Sequence, residues 1–304
     1  KYKFSRRRYE EIEEDLKKAA DSEYAQNYTT CFLQDGDAFV LQTEFLMQIL
    51  EGIHKYLPNI KHVTTYARAD SIARKSVSEL RELKTAGIEH LYCGMETGSD
   101  LILRKINKGF DTATIIISGT KAKEAGMVLS EFTLFGIGGK ELAEENAVET
   151  AKVLNVIKPD FVRVHATGIK LSSEMWNYVK NKELTLQSEE EIVSEQKIML
   201  ELLADDMDCI YMNEHIVNLL LEVRGNIRTD KQNMLETINT YLQLPKQEQE
   251  LFNLGRRLNI MFFLADLNNR AKRKQTEEGL RKIKTQNPDL DLAFVCNYVR
   301  QTQI

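Results

Sequence analysis

A carboxylate among small residues ends an apolar run at residues 91–100, which read Leu-Tyr-Cys-Gly-Met-Glu-Thr-Gly-Ser-Asp. The run stops at Glu96 and a helical pattern begins after Asp100, so the stretch predicts a strand, a polar tip and a helix. A carboxylate at a strand end can accept hydrogen bonds from both hydroxyls of a ribose, as acidic residues do in dinucleotide sites. Glu96, with Ser99 nearby, is therefore a candidate ribose ligand. A salt-bridged residue at the rim of a sheet is the alternative.

A second polar tip follows the aromatic and β-branched residues 28–33 and contains Asp35, Gly36 and Asp37. Glycine lets backbone carbonyl groups approach a ligand closely. Carbonyl and carboxylate oxygens together suit an ammonium group, so this tip predicts a site for a cationic amine. An ordinary acidic turn between a strand and a helix is the alternative.

A glycine-rich loop and a histidine mark two further strand ends. Gly136 and Ile137 belong to the sequence Phe-Gly-Ile-Gly-Gly at residues 135–139, which lacks the G-x-G-x-x-G spacing of the dinucleotide-binding fold. The loop can bring backbone groups to a flat base with Ile137 packed on its face, or it is a plain turn. His165 ends another predicted strand, where a single histidine is more often structural than a ligand or a base.

The elements that must position these tips alternate regularly. Strands and helices follow each other five times between residues 28 and 170, with about 30 residues per unit. Such alternation predicts an α/β fold with a parallel sheet and right-handed crossovers. The carboxyl ends of parallel strands lie at one edge, so the tips are expected to share that rim. Tyr66 and Arg68, at the end of the strand predicted for residues 62–67, are expected there too.

The pattern becomes mostly helical after about residue 180, so we expect two parts, residues 1–180 and residues 181–304. The predicted helices of the second part cover residues 188–203, 215–223, 230–242 and 247–272. His215 and Asn218 would share one face of their helix and could close over a substrate. A capping cluster at the start of that helix is the alternative.

Composition excludes several classes of function. A net charge of −5 over 304 residues gives no general footprint for nucleic acid, and no run approaches the roughly 20 apolar residues of a membrane span. Cys31, Cys93, Cys209 and Cys296 are far apart and form no C-x-x-C pair, so neither a zinc site nor a disulfide framework is indicated. Reduced thiols in a cytoplasmic protein are the expectation.

Taken in order, the tips and their flanking segments resemble the radical S-adenosylmethionine (radical SAM) superfamily, in the branch that includes oxygen-independent coproporphyrinogen oxidases and tRNA methylthiotransferases. The match runs from about residue 3 to residue 173, and fainter similarity continues to about residue 242. Each motif is weak alone, whereas the ordered series is fairly specific. The motifs are Lys3-Phe4-Ser5-Arg6-Arg7-Arg8, Leu33-Gln34-Asp35-Gly36-Asp37-Ala38, Gly94-Met95-Glu96-Thr97-Gly98-Ser99, Leu103-Arg104-Lys105-Ile106-Asn107-Lys108-Gly109, Lys121-Ala122-Lys123-Glu124-Ala125-Gly126 and Phe135-Gly136-Ile137-Gly138-Gly139.

The resemblance implies a partial (β/α)6 TIM barrel with a mostly helical C-terminal extension. It implies S-adenosylmethionine and a 4Fe–4S cluster as cofactors, an electron donor such as flavodoxin or ferredoxin, and a 5′-deoxyadenosyl radical that abstracts hydrogen from an unknown substrate. The cofactor-binding residues that it implies are Asp35, Gly36 and Asp37 at the methionyl amine, Lys123 at the methionyl carboxylate, Glu96 and Ser99 at the ribose, Gly136 and Ile137 at the adenine, and Tyr66 and Arg68 facing either ligand.

The cysteine loop C-x3-C-x2-C, which binds the cluster in this superfamily, is absent from the sequence. Cys31 lies on the second strand of the family scheme, and no other cysteine is near it. The resemblance begins directly after the place of that loop, so the cluster ligands are expected upstream of Lys1. The alternative is a cluster-free relative that binds a nucleoside or a partner protein. A conventional barrel enzyme such as a lyase or aldolase lacks support, because no lysine clearly ends a strand.

Overall fold

The structure of the chain is a computed structural model that describes residues 5–34, 36–286 and 291–303. Within these residues, seven strands form one sheet whose order follows the chain. The strands are β1 (Thr30–Leu33), β2 (His62–Ala67), β3 (Ile88–Glu96), β4 (Val128–Phe135), β5 (Phe161–Ala166), β6 (Ile210–Met212) and β7 (Gly225–Asn226). β2 runs parallel to β1 and to β3, and β6 runs parallel to β5 and antiparallel to β7. The predicted α/β fold with a mostly parallel sheet is confirmed.

Helices account for most of the remaining regular structure. They are α1 (Tyr9–Ala20), α2 (Thr43–Tyr56), α3 (Ala69–Arg74), α4 (Val77–Thr85), α5 (Asp100–Lys105), α6 (Thr112–Glu124), α7 (Ala143–Ile157), α8 (Glu174–Lys180), α9 (Glu189–Leu202), α10 (Ile227–Leu242), α11 (Lys246–Arg257), α12 (Arg270–Gln286) and α13 (Leu292–Thr302). None of the helices in the described residues has the length and apolar character that crossing a membrane requires.

Contacts divide the chain into two compact units. The first unit is Lys1–Gly94 together with Ala113–Ser130, and the second is Met95–Thr112 together with Glu131–Ile304. The expected division of the chain near residue 180 stays a prediction. Among the described residues after residue 180, helices predominate, and the strands are the short β6 and β7.

Alternating burial builds the core of the first unit. β2 buries Val63, Thr65 and Ala67 and turns Tyr66 outward, as expected of a strand with one face in the core. Helix α2 covers the core with side chains at helical spacing, which are Leu46, Ile49, Leu50 and Ile53. At Gly87, between α4 and β3, φ is 116°, so the glycine that the sequence places after this helix adopts the left-handed conformation that ends helices.

In the second unit, α7 packs against α9, and their contact buries both apolar and polar side chains. Helix α9 begins with the predicted capping box: the Ser188 hydroxyl accepts from the N–H of Glu191, and the Glu191 carboxylate accepts from the N–H of Ser188. The buried polar side chains on the two helices include Asn146, Thr150, Glu189, Glu195 and Gln196. This contact therefore carries a polar network as well as a core.

Three buried charges tie the helices of the C-terminal region together. Arg257 donates from Nε and Nη2 to the two carboxylate oxygens of Glu189, at 2.7 and 2.9 Å. Arg300 Nη1 lies 3.0 Å from the same carboxylate. Burial opposes ionisation of Glu189, but the charges of Arg257 and Arg300 outweigh it and lower the pKa of this carboxyl to about 2. Ion pairs shielded from water thus hold the start of α9 to the ends of α11 and α13.

The helix predicted for residues 215–223 is wrong, because turns occupy this segment. Arginine side chains bind the carbonyl groups that a helix would pair with its own N–H groups. Arg256 donates to the carbonyls of Ile216 and Asn218, and Arg257 donates to that of Val217. The side chain of Asn218 also bonds the backbone of β5, at the carbonyl of Val164 and the N–H of Ala166. Hydrogen bonds to distant side chains thus replace the backbone hydrogen bonds that a helix would form.

The single helix predicted for residues 247–272 is also wrong. Helix α11 ends at Arg257, and the N–H groups of Ile260 and Met261 both donate to the carbonyl of Gly255 at 2.9 and 3.0 Å. Asn259 takes a left-handed φ of 57°. Asn259 thus occupies the left-handed position of a Schellman motif, and the carbonyl of Gly255, in the last turn of α11, accepts the hydrogen bond that closes the motif. Helix α12 starts only at Arg270.

Candidate functional site

The tip after β1, in the first unit, brings Asp37 to the residues that follow β2. Oδ1 of Asp37 accepts from the backbone N–H of Arg68 at 3.2 Å, and Oδ2 accepts from the hydroxyl of Ser71 at 2.5 Å. Burial raises the pKa of this carboxyl. Among the described residues, an ideal Cβ at Gly36 would have no heavy atom within 4 Å, its two chain neighbours aside. Asp35 lies outside the described residues.

Tyr66 belongs to an aromatic cluster on one face of the strands of the first unit. Its ring lies 4.8 Å from that of Phe32 and 6.1 Å from that of Tyr92, its register partner on β3, and it is 42% exposed. His90 stacks on Tyr92 with ring centroids 4.3 Å apart. The sequence reading missed Phe32, His90 and Tyr92, although the spacing of two residues along β3 was the signal that could have found them.

Two basic residues of the first unit complete the predicted set there. Arg68 donates from Nε to Oδ1 of Asp70 at 3.0 Å. Lys123 is half-buried near the end of α6. The predicted contacts of Asp37, Tyr66, Arg68 and Lys123 with S-adenosylmethionine stay predictions.

Glu96 ends β3 in the second unit, where its backbone takes a left-handed φ of 65°. Few residues other than glycine adopt this conformation, and those that do concentrate at functional sites. Nζ of Lys108 lies 2.6 Å from Oε1 of Glu96, and the two side chains are 16% and 22% exposed. Among the described residues, Oε2 of Glu96 has no hydrogen-bond donor. The tip therefore presents a partly buried carboxylate with one oxygen held and one open.

The remainder of this tip is packed tightly. An ideal Cβ at Gly98 would lie 2.3 Å from the backbone oxygen of Glu149 in α7, so only glycine fits there. Ser99, which is 1% exposed, caps α5 by accepting from the N–H of Ile102, and its hydroxyl donates to Oε1 of Glu145 at 2.5 Å. Both hydrogen-bonding directions of the Ser99 hydroxyl are thus in use, and its predicted contact with ribose stays a prediction.

The loop after β4 joins the same unit. Gly136 has a left-handed φ of 82°, and its N–H donates to Oε2 of Glu195 at 3.0 Å. Ile137 is 7% exposed, and the predicted contacts of Gly136 and Ile137 with adenine stay predictions. Burial raises the pKa of Glu195 to about 7, against three hydrogen bonds that favour the ionised form. The sequence reading missed Glu195, because an acidic residue in a helix usually faces water.

Two histidines singled out in the sequence meet in the second unit. The rings of His165, at the end of β5, and His215 lie 4.1 Å apart, and Phe132 lies 5.4 Å from His165. Burial, together with repulsion from His215 and Arg163, lowers the pKa of His165 to about 4. Burial and the charge of Arg256 also lower the pKa of His215.

The described residues do not fit a 4Fe–4S cluster. No group of three His, Cys, Asp or Glu side chains within them could hold a metal. Among the described residues, Cys93, Cys209 and Cys296 are buried, Cys31 is half-buried, and none of the four is in a disulfide. The open oxygen of Glu96, by contrast, fits a ribose diol, and this fit concerns the nucleoside part of S-adenosylmethionine alone.

Comparison with known proteins gives relatives at low identity. No protein-family model matches the chain. The heme chaperone HemW of Bacillus subtilis strain 168 is 24% identical over 173 residues, which are 56% of this chain and 45% of that protein. Among solved structures, coproporphyrinogen III oxidase HemN from Escherichia coli, described as a radical SAM enzyme, is similar with a TM-score of 0.50 and 14% identity, over 66% of this chain and 48% of that one.

The chain thus spans about half the length of each of these two proteins. The match to HemN is one of fold, since its identity is far too low to carry residue roles. The chain therefore resembles this radical SAM enzyme in fold, in agreement with the resemblance that its sequence predicts.

Proposed function

We propose that the second unit binds the adenosyl part of S-adenosylmethionine and that the protein is a radical SAM enzyme. One observation carries the proposal. Glu96 ends a strand on a left-handed backbone, with Oε1 held by Lys108 and Oε2 open among the described residues. A strained backbone that aims an open carboxylate oxygen at the end of a strand suits the two hydroxyls of a ribose.

Each residue of the tip has a separate role in this proposal. Glu96 accepts from the ribose hydroxyls, and Lys108 holds Oε1 of the carboxylate in an ion pair. The backbone around Gly136 meets the adenine. Ile137 supports that loop from within the unit, because its side chain is buried.

The chemistry that the superfamily implies needs a group that the described residues do not hold. A 4Fe–4S cluster would supply the electron that cleaves S-adenosylmethionine. Since the described residues do not fit such a cluster, the proposal places its cysteines outside them. The electron donor, such as a flavodoxin or ferredoxin, and the substrate belong to the same proposal.

A binding measurement tests the nucleoside site. The full-length protein is titrated with S-adenosylmethionine in a calorimeter, beside the variants Glu96→Gln and Glu144→Gln. We expect Glu96→Gln to raise Kd roughly tenfold or more, because two hydrogen bonds lose their charged acceptor. Glu144 is an exposed carboxylate on α7 and serves as the matched control. Equal affinities of the wild type and Glu96→Gln would refute the ribose assignment.

A second measurement separates the enzyme from its alternative. The full-length protein is reconstituted anaerobically, assayed for iron and sulfide, and mixed with S-adenosylmethionine and a reductant. Release of 5′-deoxyadenosine is the expected result. Tight binding of S-adenosylmethionine without cluster formation or cleavage would favour the cluster-free nucleoside-binding module, which the scattered cysteines of the described residues support.

A further inference from the structure

A buried carboxylate with no cation beside it among the described residues lies in the second unit. Glu195 is 1% exposed, and its oxygens accept three hydrogen bonds. The donors are the side-chain amide of Asn146 at 2.5 Å, the side-chain amide of Gln187 at 2.8 Å and the backbone N–H of Gly136 at 3.0 Å. All three are neutral, and no charged group of the described residues contributes to the shift of its pKa.

This carboxylate links the two tips that the proposed function assigns to the nucleoside. Asn146 accepts from the hydroxyl of Thr150 at 3.4 Å, and the Thr150 oxygen accepts from the backbone N–H of Gly98 at 2.9 Å. One buried chain of hydrogen bonds therefore runs from Gly136, in the loop after β4, through Glu195, Asn146 and Thr150 to Gly98, two residues after Glu96. Asn146 also donates to the carbonyl of Leu134 in β4, at 2.9 Å.

The three donors require a carboxylate. A buried carboxylate without a counter-ion is costly, but both of its oxygens accept here, whereas an amide has one acceptor oxygen and would turn its NH2 group toward a donor. Burial raises the pKa of Glu195 to about 7, so its proton is exchanged near neutrality. Oε1 of Gln187 is buried without a hydrogen-bond partner, so a rotated amide offers an acceptor once the carboxyl is protonated. Ionised Glu195 instead accepts hydrogen bonds from all three donors.

We propose that Glu195 is a positioning residue for the nucleoside: its carboxylate fixes the loop at Gly136 and, through Asn146 and Thr150, the tip that carries Glu96. The proposal rests on the proposed function above. In its ionised form Glu195 holds both tips in the binding arrangement, and in its protonated form it releases the N–H of Gly136. Affinity for the nucleoside is therefore expected to rise as the pH increases through the range in which Glu195 loses its proton.

The test uses 5′-deoxyadenosine, which has the ribose and the adenine but lacks the titratable amine and carboxylate of the methionyl part. Its Kd for the full-length protein is measured across neutral pH for the wild type, Glu195→Gln and Glu201→Gln. Glu201 is exposed on the same helix and serves as the control. We expect Glu195→Gln to bind roughly tenfold more weakly above neutrality, with little dependence on pH. The wild type and Glu201→Gln should share one rising profile.

A second variant covers the case in which Glu195→Gln does not fold. Thr150→Val keeps the shape of the side chain but removes its hydrogen bond with the N–H of Gly98. Nucleoside binding should therefore weaken while its pH profile remains. Identical affinity and profile for the wild type and whichever variant folds would overturn the proposal, even if Glu96→Gln still abolished binding. Failure of the wild type to bind either the nucleoside or S-adenosylmethionine would instead overturn the proposed function.

Discussion

Lys108 Nζ lies 2.6 Å from Oε1 of Glu96, and both side chains are mostly shielded from water. Glu96 therefore forms a salt bridge, which was one of its two predicted roles. The same geometry is compatible with the other role, that of a ribose ligand. The ion pair occupies a single carboxylate oxygen, and among the described residues the other has no donor. Lys108 therefore pairs with Glu96 without occupying its second carboxylate oxygen.

Removal of Lys108 should cost stability. Lys108→Met leaves Glu96 partly buried and without its cation, so we expect the free energy of unfolding to fall by roughly 1–2 kcal/mol, between the values for exposed and fully buried pairs. Urea unfolding of the two single variants and of the double variant with Glu96→Gln gives the coupling. If the two substitutions changed the free energy of unfolding in a strictly additive way, Lys108 and Glu96 would not interact.

The buried carboxyl of Glu195 predicts a pH-dependent stability. Its pKa of about 7 in the folded chain exceeds the ordinary value of 4.5, so the folded chain binds more protons than the unfolded chain between these values. The free energy of unfolding should therefore fall as pH rises through this window, by at most about 3 kcal/mol. Glu195→Gln should remove this component and Glu201→Gln should keep it, as urea unfolding at a series of pH values would show. Equal slopes for the two variants would count against the shifted pKa.

The buried ion group at α9 predicts a large effect of one substitution. Arg257→Met leaves the carboxylate of Glu189 with only Arg300 beside it, and we expect a loss of roughly 3–5 kcal/mol in the free energy of unfolding. Lys246→Met removes a mostly exposed cation 2.9 Å from Glu190 and is the matched control, expected to cost about 0–1 kcal/mol. Thermal and urea unfolding measure both. If both variants lost a similar free energy of unfolding, burial would not explain the contribution of Arg257.

Two glycines, one at the tip after β1 and one at the tip after β3, should respond differently to a methyl group. Gly98→Ala places Cβ 2.3 Å from a backbone oxygen of α7, whereas Gly36→Ala meets no heavy atom within 4 Å. We expect Gly98→Ala to destabilise the fold by roughly 1–3 kcal/mol and Gly36→Ala to change it by less than about 0.5 kcal/mol. Melting temperatures of the two variants decide the matter. A strong effect at Gly36 together with none at Gly98 would show that the tip is not packed as described.

Local pattern predicted most of the fold. The strand predicted for residues 62–67 is β2, and the helix start at Ser188 is confirmed with both hydrogen bonds of its capping box. These features depend on side-chain alternation and on contacts three residues apart, which the sequence displays directly. The resemblance to radical SAM enzymes was likewise predictable, because it depends on ordered motifs at strand ends.

The sequence by itself determined the α/β alternation, the strand ends that carry Asp37, Glu96 and Gly136, and the family that this order resembles. Only the tertiary structure decided which groups those ends meet. The pairing of Glu96 with Lys108, the burial of Glu195 and the arginines that prevent a helix at residues 215–223 all join residues distant in sequence. Periodicity reports only which face of an element is apolar, whereas charge pairing and burial depend on what packs against that face.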